Sequence, residues 1–175
     1  MVRARCVIWT FNKHSANISA MDVNKKIFSL FGENKISYDL FVHESASTCE
    51  SASAKRGLDL SVGAKSILFK GKSGFCVFSI RAHLEVSSQK VRKVLGSNKL
   101  RFATHDELKE ICHVVKGALP PLAGPLFGLP HYADKSLTTG DKIVFNAGIL
   151  TESVVISTQD FLRLANPIIC EFSDD

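Results

Sequence analysis

The stretch Gly63-Ala64-Lys65-Ser66-Ile67-Leu68-Phe69-Lys70, GAKSILFK, decides how the rest of the chain is read. Its Ile, Leu and Phe suit a pleated, half-buried surface and predict a β-strand. Side chains on a strand alternate between two faces, so Lys65, Ile67 and Phe69 share one and Ser66, Leu68 and Lys70 the other. If Ile67 and Phe69 face the interior, Lys65 faces it as well. One explanation is that a lysine at a strand end buries its stem and keeps its ammonium in water. The other is that this face opens into a pocket to which Lys65 supplies positive charge.

Outward from this strand, short elements alternate. Asp22 is read as the cap of a helix carrying Ile27, Leu30 and Phe31 at helical spacing. Ile36 to Val42 reads as a strand and His43 to Thr48 as a loop. A short helix through Ala54 closes at Gly57. Gly71, Ser73 and Gly74 predict a hairpin into a second strand, Phe75 to Ile80. Ser87 to Leu95 is a basic helix ending at Gly96, and Leu100 to Ala103 a strand. Thr104 and Glu107 form a capping box for a helix reaching Cys112. Val114 to Pro130 is too rich in Gly and Pro to stay regular for long. Two strands follow, near Lys142 to Phe145 and Val154 to Ile156. Thr158 is read as the cap of a last helix, stopped by Asn166-Pro167. The order predicts a mixed α/β fold: one sheet, partly closed on itself, with no repeat and no linker.

The chain has 175 residues, which fits one domain with a sizeable core. It carries 22 basic and 17 acidic residues, a net charge of +5 that suits an anionic partner such as RNA. No apolar run approaches the roughly 18 residues needed to cross a membrane. The five cysteines, Cys6, Cys49, Cys76, Cys112 and Cys170, are scattered and odd in number. That argues against a disulfide framework or a zinc knuckle and for reduced thiols in the cytoplasm. The first twenty residues contain no acid and hold Arg3, Arg5, Lys13 and His14. Their apolar content is too short for a secretory signal, and an organelle-targeting reading is weak. Residues 1–20 are therefore expected to be a peripheral extension, with Met21 as an alternative start, and residues 21–175 the domain.

Two further stretches carry chemistry. Lys116 to Gly124, KGALPPLAG, combines prolines that fix the backbone with glycines that allow close approach. Such a loop can hold backbone N–H groups in one direction, as an oxyanion hole requires, or it can be a rigid surface turn. Phe145-Asn146-Ala147-Gly148 ends an apolar strand, where Asn146 can donate to or accept from a ligand. Cys76 alternates with Phe78 and Ile80 and reads as a small core residue. Cys112 and His113 are adjacent in sequence, which does not make them a nucleophile and its base. His43 could serve as a base, though a lone histidine after a strand is more often structural. No dinucleotide, P-loop or HExxH motif is present.

Taken in order, these stretches resemble the YbaK / prolyl-tRNA synthetase-associated editing-domain family, over about Lys25 to Leu164. His43 with Thr48, Glu50 and Ala52 is similar to the family's pattern before its small helix. Gly63 to Leu68 is similar to its lysine-bearing strand, and Gly117 to Pro121 to its GxxxP loop. Gly128-Leu129-Pro130 with Tyr132 and Asp134, then Phe145 to Gly148 and the helix at Asp160 to Leu164, complete the order. Some members carry histidine where this chain has Asn146, and many have Thr-Gly where it has Cys112-His113.

The resemblance implies a single mixed α/β domain, its mostly antiparallel sheet partly closed into a barrel and flanked by short helices. It implies a deacylase of mischarged aminoacyl-tRNA that removes a small amino acid, typically alanine or cysteine on tRNA for proline. Lys65 and the backbone at Gly117 and Ala118 would then be catalytic. Leu119, Pro120, Pro121, Asn146, Ala147, Gly148 and His43 would bind substrate. No cofactor or metal is implied. The partners implied are the acceptor end of aminoacyl-tRNA and an aminoacyl-tRNA synthetase, with Lys90, Arg92 and Lys93 as a candidate tRNA surface. The alternatives are a binding module without turnover and a hydrolase of small esters.

Overall fold

The computed structural model describes residues 19–174; the expected peripheral extension lies, up to residue 18, outside them. In chain order the elements are α1 (Ala20–Glu33), β1 (Asp39–Val42), α2 (Cys49–Arg56), β2 (Ala64–Gly71), β3 (Gly74–Arg81), β4 (Glu85–Val86), α3 (Ser88–Leu95), β5 (Leu100–Phe102), α4 (His105–Cys112), α5 (Ala123–Phe127), β6 (His131–Asp134), β7 (Lys142–Asn146), β8 (Glu152–Ser157), α6 (Thr158–Ala165), β9 (Ile168–Cys170) and β10 (Ser173–Asp174). Turns of 3-10 helix occupy Leu60–Val62 and Lys135–Thr138.

The hairpin of β2 and β3 pairs without a break from Ala64 opposite Arg81 to Gly71 opposite Gly74. It is the centre of a five-stranded sheet in the order β5-β2-β3-β6-β9. Pairing is antiparallel on the β5 side and parallel at β3-β6 and β6-β9. A second, antiparallel sheet has the order β1-β8-β7, and β4 pairs with β10. The mixed, mostly antiparallel α/β fold is as the sequence predicts. The barrel is not: the described strands form separate ladders, and the two larger sheets meet at an isolated bridge between Gly63 and Val144.

Both faces of the five-stranded sheet are covered. Leu68 and Val77 face the larger core, with Ile27, Phe31, Leu122, Phe145 and Phe161. Phe69, Cys76, Phe78 and Ile80 face a smaller core closed by Val91 and Phe172. Lys65 lies in alternation with Ile67 and Phe69, on the side of the smaller core. Phe78 stacks on Tyr132 at a 4.6 Å centroid separation and meets Phe172 edge-on at 4.9 Å. Burying aromatic rings in such a cluster contributes several kcal/mol in all (roughly 2 per ring).

Local corrections have local causes. Ser19, not Asp22, caps α1; Asp22 is the reciprocal member of the capping box, accepting from the Ser19 N–H at 2.8 Å. Likewise Ser157 rather than Thr158 caps α6, accepting from the Asp160 N–H at 3.0 Å. The strand expected from Ile36 begins only at Asp39. Ile36 is 6% exposed and donates its N–H to Phe31 O, so it tucks under the helix end instead of pairing. The box of Thr104 and Glu107 and the left-handed stop at Gly57 form as expected.

Asp134, within the strand that resembles the family's, serves the fold. It is 1% exposed and accepts from the amides of Phe172 (2.8 Å), Ser173 (3.0 Å) and Ser136 (2.9 Å). Burial by itself would raise its pKa; the amides of Phe172, Ser136 and Ser173 outweigh that and hold it below the ordinary carboxylate value. The charge thus clamps the C-terminal strand onto the smaller core. Replacement Asp134→Ala orphans these buried amides and is expected to cost about 3 kcal/mol in denaturant unfolding.

Candidate active site

The bridge between Gly63 and Val144 brings the first residues of β2 against the last residues of β7. Gly63 is also held close to the residue after β3: a Cβ there would stand 2.9 Å from Ala82 Cβ. A small cleft open to solvent, with a cavity volume of about 60 Å³, lies at this junction. Its walls are the β2 start with Lys65 and Ser66, the β7 end with Phe145 and Asn146, the Gly-Pro loop with Gly117 and Leu119, and α2 with its preceding loop. Lys65, Gly117, Leu119 and Asn146, which are scattered over eighty residues of sequence, line one space.

Lys65 keeps 23% of its side chain exposed, and its Nζ stands 3.4 Å from Glu85 Oε1. Glu85 is 86% exposed, so the pair is a weak one that a competing anion can replace. A second cation lines the cleft: Arg56, at the end of α2. Its Nη1 donates to Ser153 Oγ at 3.0 Å, and its buried Nε meets no protein acceptor. Burial lowers its pKa from the usual arginine value, though a guanidinium stays charged. No Asp or Glu is among the lining residues. Two cations on a wall without carboxylates, one of them in a weak exposed pair, suit an anionic ligand. Sequence reasoning missed Arg56, because Lys55-Arg56-Gly57 reads as an ordinary basic helix end.

Asn146 braces the cleft. Its Nδ2 donates to Gly117 O at 2.9 Å and to Ala46 O at 3.3 Å, and its Oδ1 accepts from Ser153 Oγ at 2.8 Å. One amide thus ties β7 to the Gly-Pro loop and to the loop before α2. His43 stands behind this brace, with Nε2 2.7 Å from Ser153 Oγ, and does not line the cleft. Gly117 has φ of +88°, and a Cβ there would fall 2.5 Å from Ser47 O. The Ala118 amide, expected as an oxyanion donor, is committed to Val115 O at 3.0 Å. Among the described residues no acceptor engages the Gly117 or Leu119 amide, and both residues line the cleft.

Other expected residues lie elsewhere. Pro120 and Pro121 are buried supports of the loop. Ala147 is fully buried, and Gly148, with φ of +81°, packs against Val23 and Asn24 of α1. Asn24 holds this turn by donating to Ala147 O at 2.9 Å. Both residues therefore seat a helix and do not line the cleft. Cys76 is a core thiol, as the alternation predicts, and burial pushes it up to about 12, as it does Cys112. Cys49 lines the cleft, but burial raises its pKa too, which keeps it a thiol. Of the candidate tRNA surface on α3, Lys90 is engaged with Ser173 O.

A polar row crosses the larger core from the cleft. Ser66 Oγ lies 2.8 Å from Ser79 Oγ, which lies 2.8 Å from His131 Nε2. Burial pushes His131 down to about 4.

The family model for the aminoacyl-tRNA editing domain matches residues 43–164, and the chain belongs to that family. The chain is 30% identical over 155 residues to the multifunctional Ser/Thr-tRNA deacylase ProXp-y of Escherichia coli K12, covering 85% of this chain and 92% of that protein. It is 29% identical over 93 residues to a proline–tRNA ligase of Exiguobacterium sibiricum, covering 53% of this chain and 16% of the ligase. The fold matches the crystal structure of a candidate trans-editing enzyme for prolyl-tRNA synthetase with a TM-score of 0.76 at 18% identity, over 87% of this chain and 98% of that one.

Two outcomes follow from this geometry. Gly117→Ala forces both a strained φ and a backbone clash; kcat for the site's reaction should fall at least tenfold, with stability lowered by about 1–3 kcal/mol. The second concerns pH. An unfolded His131 titrates near 6.5 and the folded one near 4. Between those values the unfolded chain binds more protons, so stability falls as pH drops from 6.5 to 4, by up to about 3 kcal/mol. His131→Gln should flatten that slope in urea titrations at successive pH values.

Proposed function

We propose that this protein is a free-standing deacylase that hydrolyses the ester of mischarged aminoacyl-tRNA, with seryl and threonyl groups as its acyl substrates. The observation that carries the reading is the convergence, in one cleft, of Lys65, Arg56 and the unengaged amides of Gly117 and Leu119. The cations suit the phosphate of the terminal adenosine, and the amides suit the oxyanion formed when water adds to the ester carbonyl. One such donor contributes about 3–4 kcal/mol in the transition state.

An aminoacyl ester is already activated, so an oriented water suffices without a protein nucleophile. Water adds to the carbonyl carbon, and the bond to the ribose oxygen breaks. That oxygen leaves with a proton, for which the neighbouring ribose hydroxyl is a path. This accounts for a cleft wall that holds neither histidine nor carboxylate.

The expected alanine or cysteine gives way to a hydroxylated acyl group on two grounds. The E. coli relative is named a Ser/Thr-tRNA deacylase. The cleft wall is itself rich in hydroxyls, with Ser47, Thr48 and Ser66. A site built to bond a substrate hydroxyl rejects analogues lacking it more strongly than an apolar pocket separates methylenes. In this reading the protein works in the cytoplasm on aminoacyl-tRNA released by a synthetase.

The test is a panel of seryl-, threonyl-, alanyl- and cysteinyl-tRNAs with wild type and Lys65→Ala. Wild type should release serine and threonine fastest. The variant should lose at least a hundredfold in kcat/KM with unchanged thermal unfolding, since Lys65 makes one weak surface pair. Full activity in the variant would remove Lys65 from this role. Salt-dependent tRNA binding with no turnover on any member of the panel would instead make the protein a binding module.

A further inference from the structure

The direction of the row of Ser66, Ser79 and His131 is set by which ring nitrogen of His131 carries the hydrogen. His131 is 5% exposed and neutral above pH 4, so it carries one ring N–H. Its Nδ1 is buried and meets no polar partner. A hydrogen on Nδ1 would be an orphaned buried N–H, an arrangement rarer in folded cores than an unmet acceptor. The hydrogen therefore sits on Nε2 and is donated to Ser79 Oγ. Ser79 is fully buried and has two side-chain neighbours, His131 and Ser66. With His131 donating, Ser79's own hydrogen has a single acceptor, Ser66 Oγ. Ser66 thus already accepts within the row, and its hydrogen is left for the space it lines, the cleft.

The backbone supports this direction. Ser66 stands directly across from Ser79 in the β2-β3 ladder, on the face shared by Ala64 and Leu68. Ala64 packs on the larger core that Leu119 and Phe145 help to build, and those two residues also line the cleft. A hydrogen-bonded row anchored in the core at Ser79 and His131 holds Ser66 more rigidly than an isolated serine would be held.

We propose that Ser66 is the specificity-determining residue of the site, donating its hydroxyl hydrogen to the side-chain oxygen of a seryl or threonyl group. Ser79 and His131 are positioning residues that act through it. An alanyl group offers no oxygen at that point and leaves the Ser66 donor unmet. The inference rests on the deacylase reading and deepens it, since it names the contact that selects the acyl group.

The test uses stable amide analogues, adenosine bearing seryl or alanyl on a 3′-amino group, with affinity read by calorimetry alongside the tRNA panel. Wild type should favour the seryl analogue about tenfold. Ser66→Ala should bring that ratio to about one while alanyl affinity holds, and Ser66→Thr should retain most of it. His131→Leu should lower the ratio without changing alanyl affinity, a readout that loss of packing alone would not move. A wild-type ratio of one overturns the proposal, even if no variant folds. So does an equal loss of both analogues in Ser66→Ala, which would place Ser66 on the ester itself. If wild type binds the analogues without preference yet hydrolyses mischarged tRNA, the deacylase reading stands and this inference falls. If wild type neither binds them nor turns over any tRNA, both fall.

Discussion

The contact on which the rest depends is the one between two sheets at Gly63 and Val144. Each sheet buries a face against the larger core, and neither closes on itself. They meet at Gly63, just before β2, whose carbonyl also accepts from the Ala82 amide just past β3 at 2.8 Å. A Cβ at Gly63 would press on Ala82 and on Leu60 O, so a larger residue would shift the start of β2. The spacing places Lys65 and Ser66 opposite Phe145 and Asn146, and the cleft is the space left between them. It is a product of sheet geometry, and the loops are fitted to it afterwards.

What fits the loops is a set of hydrogen bonds, most of them part-buried, centred on the neutral side chains of Asn146 and Ser153. Asn146 holds the Gly-Pro loop and the loop before α2 through two carbonyls. Ser153 joins Asn146, His43 and Arg56. Neutral braces add no carboxylate to the cleft wall and leave Lys65 with the exposed Glu85 as its partner, so the lining stays positive. A carboxylate placed in the brace would neutralise it. Asn146 is in this chain a structural clamp for the Gly-Pro loop. The backbone donors of that loop can act only while the loop is held.

Legibility in the sequence followed the range of the interactions. The β2-β3 hairpin, the cap of α4 and the stop at Gly57 depend on neighbours a few residues away, and all were readable. So was the mixed α/β class. Caps one or three residues off at α1 and α6 reflect rival hydroxyls and carboxylates within one turn. The parallel strands β6 and β9 were harder, because a short parallel strand has no turn chemistry to announce it. Ala147 and Gly148 read as a ligand-binding turn because small residues at a strand end serve equally well to admit a helix. Only the position of α1 settles which.

The sequence by itself determined the order of elements, the alternation that sets Lys65 apart from Ser66, and a Gly-Pro loop able to present backbone donors. These are properties of dihedral angles and of side-chain period. The tertiary structure decided which amides of that loop are free, that Arg56 joins Lys65, and that Ser66 is tied to a buried histidine sixty-five positions later in the chain. Those outcomes depend on which polar groups meet once water is gone, and a buried hydrogen must then find its acceptor among whatever the fold has brought near.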